Sequence, residues 1–202
     1  MHISDGVLPL TTVMTTYGVS AVIAAWSLKS IHEEDLPKIA VVTSSFFVAS
    51  LIHLPLGPTS VHLLLPGVVG ALLGPAAFIS ICIGLFLQSI LFQFGGLTAL
   101  GANALVMGLP ALLCGLLFRH LQGTDKESVT RAGVLCGGLG TLLSALILAG
   151  LLVTGGEDFF ATARLAAIAH LPVIFVEALV CAFTVRFIFR VRPQMLPGLS
   201  RQ

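Results

Sequence analysis

The sequence predicts an all-α fold: a polytopic membrane helical bundle of about seven transmembrane segments, in a single domain over residues 1–202. Three observations lead there. The chain is 56% hydrophobic and only 9% charged, with a mean hydropathy of +1.05, a balance outside the range of soluble globular domains. Its apolar residues fall into long runs, several close to the roughly 20 residues needed to cross a bilayer. Those runs show no alternation at period two, which argues against a closed β-barrel.

Taken in order, the runs lie near 8–28, 38–54, 61–74, 75–94, 99–121, 132–154 and 168–189. No basic region precedes the first, and it is too long for a signal-peptide core, so no leader is expected to be removed. The third is too short to cross alone and contains Pro66-Gly67. A thin, broken or re-entrant helix is expected there, its backbone satisfied by surrounding protein. The Gly70/Gly74 and Gly133/Gly137 spacings suit close helix contacts. Cys82, Cys114, Cys136 and Cys181 fall inside apolar runs without a C-x-x-C pair, and read as small buried hydrophobes, not as a disulfide framework.

Seven spans beginning outside place Lys29, Lys38, Arg119, Lys126, Arg131, Arg186, Arg190, Arg192 and Arg201 on the cytoplasmic side and leave Arg164 alone outside. That asymmetry follows the positive-inside rule. It predicts a multi-pass protein of the inner (cytoplasmic) membrane, with the N-terminus outside and residues 191–202 as a cytoplasmic tail. The net charge of +1 offers no concentrated basic patch, so no nucleic-acid partner is expected.

The start, Met1-His2-Ile3-Ser4-Asp5-Gly6, carries the chemistry. A free amine on Met1, the backbone nitrogen of His2 and its imidazole form three nitrogen donors in chelate sequence. Such a field suits Ni(II) and Cu(II), with Co(II) close behind. On the topology above, residues 1–7 share the outer face with the 53–62 connection. His62, at the junction of a Pro/Gly-rich loop and an apolar run, is preferred on spacing as the fourth donor, with Ser60 nearby to orient a ring. His53, beside Pro55, remains the alternative or an auxiliary donor.

Met1-His-Ile-Ser-Asp-Gly-Val-Leu-Pro9 resembles the start of the CbiM/NikM family, the substrate-capture (S) components of cobalt and nickel energy-coupling-factor transporters. Ser60-Val-His-Leu-Leu-Leu-Pro-Gly67 with Gly70-Ala-Leu-Leu-Gly-Pro75, Gly95-Gly-Leu-Thr-Ala-Leu-Gly-Ala-Asn103, and His170-Leu-Pro172 through Val191-Arg-Pro-Gln-Met-Leu196 resemble further family segments. Together they cover the chain from end to end. The resemblance implies that Met1, His2 and His62 hold a nickel or cobalt ion as transported substrate, with no catalytic cofactor and a link to cobalamin biosynthesis. It also implies a membrane coupling (T) subunit, cytoplasmic ATPase subunits and a small accessory membrane subunit as partners. Ser4, His53 and Pro66 depart from the usual pattern, and Pro66 is expected to alter the helix path near His62.

Several residues invite a supporting role. Gly6 permits a bend that tucks the N-terminus back into the bundle. Asp5 either bonds nearby backbone or a ligand ring, or simply caps the first helix. Gly95, Gly96 and Gly101 make a pliant loop near the site, and Asn103 can donate and accept there. Glu177 is the one acid deep within a run, on the same helix face as His170. It is expected either to make one interhelical hydrogen bond or to serve transport. Ala21 and Ala25 offer a weak docking patch for the coupling subunit. No P-loop stretch and no His-Glu-x-x-His helix occurs, so no enzyme activity is expected of this chain. A secondary divalent-metal permease is the alternative function.

Overall fold

The computed structural model describes residues 2–51, 53–56 and 59–197, with 53–56 and 59–61 by backbone alone. Met1, the side chains of His53 and Ser60, and residues 198–202 of the tail lie outside the described residues. Seven helices make up nearly all of the fold: α1 (Leu10–Leu28), α2 (Leu36–Leu51), α3 (Pro66–Leu73), α4 (Ala77–Phe92), α5 (Leu100–Leu121), α6 (Lys126–Val153) and α7 (Phe160–Val191). Apolar run and helix coincide to within a few residues, except at three places. α6 begins at Lys126, before the run at 132. α7 begins earlier than the run at 168 because the Ala-rich stretch before it continues the helix. The third run divides between a hairpin and a short helix.

That division departs from an all-α fold. β1 (His53–Leu56) and β2 (Thr59–His62) pair antiparallel, with His53 opposite His62 and Leu56 opposite Thr59. The cluster of Pro55, Gly57 and Pro58 in the sequence disfavours a continuous helix here, whereas the single Pro110 of α5 and Pro172 of α7 are accommodated within theirs. α3 then starts at Pro66, whose missing N–H falls where a helix has no internal partner for it. Pro66 therefore begins the helix and does not kink it. All eight residues of α3 are buried, as expected of a broken segment sheltered by protein.

Among the described residues, four segments are able by length and composition to cross a membrane: Pro66–Phe92, Leu100–Leu121, Lys126–Val153 and Glu157–Val191. The first is not one rod. Gly74, at φ +55°, turns the chain between α3 and α4. Pro75 just beyond it accepts a 2.7 Å hydrogen bond from Ser27, near the end of α1, while α4 returns to bring Gln88 to His2. The N-terminal segment and the Pro193–Met195 turn consequently sit at opposite ends of the bundle. An open cleft at the latter end is lined by His32, Glu34, Asp35, Lys38, Arg119 and Gln194, among others.

Small residues bring the helices together. A Cβ at Gly67 of α3 would stand 2.6 Å from Gly137 Cα of α6, and one at Gly137 would stand 2.8 Å from Ala178 Cα of α7. Gly133 meets Ala182 in the same way. The Gly133/Gly137 spacing thus marks the α6–α7 seam, the most extensive helix pair of the fold. Gly70 likewise lies against Ala111 and Gly115 of α5, and Gly74, besides making the turn, also meets Gly115 closely, its Cα 2.8 Å from where a Gly115 Cβ would stand. The four cysteines are unpaired thiols, three of them buried. Because a side chain at Gly137 would run into the backbone of α7 at Glu177 and Ala178, Gly137→Leu is expected to cost about 1–3 kcal/mol by overpacking. A lowered thermal midpoint of the detergent-purified protein checks this, and an unchanged midpoint would count against the close contact.

Candidate metal site

His2, Ile3 and Leu8 tuck into the bundle, while Ser4, Asp5 and Gly6 stay at its surface. His2 and Ile3 are only 5% and 0% exposed. Asn103, in the first turn of α5, holds Ile3 from both sides: its Oδ1 accepts from the Ile3 N–H at 2.8 Å and its Nδ2 donates to the Ile3 carbonyl at 3.0 Å. The side-chain amide thus takes the place of a neighbouring strand. Asp5 secures the next turn. Its Oδ1 accepts from Thr98 N at 2.8 Å, Thr98 Oγ1 at 2.5 Å and Ala99 N at 3.3 Å, all at the start of α5. Asp5 therefore ties down the turn that leads into α5 and does not cap α1, whose N-cap is Pro9. Gly6, at φ +79°, makes the expected bend.

Gly95 and Gly96 let the segment approach. A Cβ on Gly95 would lie 2.7 Å from Asn103 Nδ2 and 3.1 Å from His2 Cδ2, and one on Gly96 would overlap the Asp5 carboxyl. Gly101 does something else: it lies in α5, against Tyr17 of α1. The Tyr17 hydroxyl donates to the Leu97 carbonyl and Ser20 donates to the Gly101 carbonyl, so α1 also braces this loop.

His62 arrives from the opposite side, 4% exposed at the end of β2. Its ring centroid lies 4.9 Å from that of His2, the planes tilted by 31°. Phe94 lies over the other flank of His2, at 6.2 Å. Among the described residues no group of three or more His, Cys, Asp or Glu side chains is placed to hold a metal. The two imidazoles that converge are those of His2 and His62. Their chemistry as nitrogen donors suits a borderline transition-metal ion.

Glu177 stands behind His62. Its Oε1 accepts from the Leu64 N–H and, at 2.9 Å, from the Leu65 N–H. Those amides precede α3, whose N-terminus is buried and lacks internal acceptors. The carboxyl thus makes two bonds to backbone where one to another helix was expected. It also holds Leu65 at φ +53°, a left-handed conformation of order 1–3 kcal/mol above the usual ones for such a residue. His170, on the same inner face of α7 and wholly buried, lies 2.6 Å through Nδ1 from the Ala166 carbonyl.

Gln88 is the site residue that sequence reasoning passed over. Its Oε1 lies 2.9 Å from His2 Nε2, and its amide nitrogen reaches Ser50 and the Phe47 carbonyl of α2. Gln88 is the one amide within α4, inside an apolar run. A polar group at that depth is a functional signal in its own right.

A family model described as a cobalt uptake substrate-specific transmembrane region matches residues 2–195. A Haemophilus influenzae protein named for metal transport is 35% identical, the match covering 97% of each chain. The fused nickel transport protein NikMN of Rhodobacter capsulatus is 32% identical, over 69% of this chain and 42% of its own length. The crystal structure of a truncated transition metal transporter has a similar fold, with a TM-score of 0.70 at 23% identity, covering 94% of this chain and 99% of that one. The chain belongs to the CbiM family and is a multi-pass membrane protein.

Proposed function

We propose that this protein is the substrate-capture subunit of an ATP-driven energy-coupling-factor importer for nickel or cobalt. The observation that carries this reading is the meeting of His2 and His62, 4.9 Å apart between centroids, inside a bundle of helices. Two imidazoles leave a four-nitrogen field half filled. The terminal amine of Met1 and the backbone nitrogen of His2 would complete it, in five- and six-membered chelate rings. Asn103 and Asp5 support this by holding residues 3 and 5 in place, which fixes where His2 falls.

In this reading the chain crosses seven times, with the N-terminus and metal site outside and the C-terminus in the cytoplasm, following the basic residues. Energy comes from elsewhere, through a membrane coupling subunit, cytoplasmic ATPase subunits and a small accessory membrane subunit. A relative in which the same region is fused to a further transport component supports separate partners here. The charged cleft around Lys38 and Arg119, and the outward-facing Ala21 and Ala25, lie where such partners would meet this chain. Uptake by the chain without ATPase partners would instead favour a secondary permease.

His62→Ala is expected to lower nickel affinity by more than about 100-fold, beyond the range for losing a mere orienting partner, with the helical bundle intact. Titration calorimetry with nickel and cobalt reads this. Parent-like binding by His62→Ala alongside lost binding by His53→Ala would move the ligand to His53. An added residue before Met1 turns the amine into an amide and carries the new amine out of reach. The N-extended protein should therefore bind far less metal than one tagged at the C-terminus, and equal metal content in the two would sink the N-terminal chelate.

Protons and metal compete for the same lone pairs, so binding should weaken as pH falls and should release protons. Calorimetry in buffers of different ionisation enthalpy measures that release. A value of zero would be incompatible with a deprotonated backbone donor.

A further inference from the structure

We infer that Gln88 and Ser50 form a positioning pair that fixes the tautomer of His2, keeping the ring proton on Nε2 and the Nδ1 lone pair for the metal. This rests on the chelate reading above and specifies how the apo site is set for it. Two groups that can only accept, the carbonyls of Phe46 and Phe47 in α2, set the direction of the bonds that follow. Ser50 Oγ lies 2.8 Å from the first and 3.1 Å from the second, so its single hydrogen is committed there. Its lone pair then receives the Gln88 amide, which also donates to the Phe47 carbonyl at 3.3 Å.

Those two acceptors orient the amide. The NH2 of Gln88 faces α2, and its carbonyl oxygen faces His2. That oxygen, 2.9 Å from Nε2, has no hydrogen to give. Nε2 must be the donor. In the neutral ring the other nitrogen, Nδ1, keeps its lone pair, and only Nδ1 can close a six-membered chelate ring with the backbone nitrogen of the same residue. The opposite tautomer would place a proton where the metal binds.

His62 is set the other way by the same device. Its Nδ1 lies 2.7 Å from the Leu63 carbonyl and donates to it, which leaves the lone pair on Nε2. The two rings thus carry opposite tautomers, each chosen by a carbonyl oxygen. Gln88 and Ser50 are wholly buried, so water does not compete for either position.

The test is nuclear magnetic resonance of the metal-free, full-length protein in micelles, isotope-labelled at histidine, because ring nitrogen shifts report which nitrogen holds the proton. His2 in the parent protein is expected to be protonated at Nε2. Gln88→Met, similar in length but without the acceptor, should show a mixture of tautomers and bind nickel about 10–100-fold more weakly. Ser50→Ala, which leaves the Phe47 carbonyl to orient the amide, should shift both readouts less. A parent His2 protonated at Nδ1, or a Gln88→Met protein with unchanged tautomer and affinity, would overturn the inference. The two readings fail separately. An Nε2-protonated His2 in a protein that binds no nickel supports the positioning pair and sinks the chelate. Tight nickel binding with the proton on Nδ1 does the reverse.

Discussion

Backbone amides cannot be left bare inside an apolar bundle, and the bond from Glu177 to the Leu64 and Leu65 amides is where this protein meets that constraint. A chain that breaks its third helix deep in the fold exposes N–H groups with no water to take them, at about 1–3 kcal/mol each. The Glu177 carboxyl supplies the missing acceptor from α7. Because the same junction carries His62, satisfying the backbone also fixes a candidate ligand. The glycines follow from this: α3 can reach α7 and α6 only if Gly67 and Gly137 bring the helices nearly into backbone contact.

The N-terminal segment solves the same problem with a different group. Ile3 is buried in extended chain without a strand beside it, and Asn103 offers one donor and one acceptor in the geometry a neighbouring strand would. His2 is then held at both ends, through its main chain by this clamp and through its ring by Gln88. Such support is what lets a short terminal peptide act as a rigid ligand. A peptide ordered only by the metal would lose much of its affinity to the ordering itself.

The fold was legible wherever composition alone decides it. Runs of apolar residues located most of the helices to within a few positions, since a chain in lipid can hide its backbone in few other ways, but α6 and α7 begin well before their runs and the third run is helical only in part. The hairpin at His53–His62 was less legible, because its Pro and Gly residues read equally well as a loop. Asp5, Asn103 and Gly95-Gly96 were readable as supports, but their partners were not: that Asp5 bonds the turn before α5, across about 90 residues of chain, depends on packing no local pattern encodes. Gln88 was visible as an amide in an apolar run and was passed over because the histidines drew the reading to the loops. The two bonds of Glu177 to backbone could be seen only once α3 was known to begin at Pro66.

The two rings are held by different parts of the bundle, and this bears on how a captured ion could be given up. His2 is tied to α4 through Gln88, and its neighbour Ile3 is tied to α5 through Asn103. His62 is tied to α7 through the two amides that follow it. The distance between the rings is therefore set by how α7 packs against α4 and α5, with α3 and α6 between them. Both α5 and α7 run on to the far end of the bundle, where Arg119 and the chain after Val191 border the charged cleft. A shift of α7 relative to α5 at that end would carry the Leu64–Leu65 junction with it and part the imidazoles, with no group at the metal site having to change its own chemistry. Interior packing this close passes small displacements on and does not absorb them.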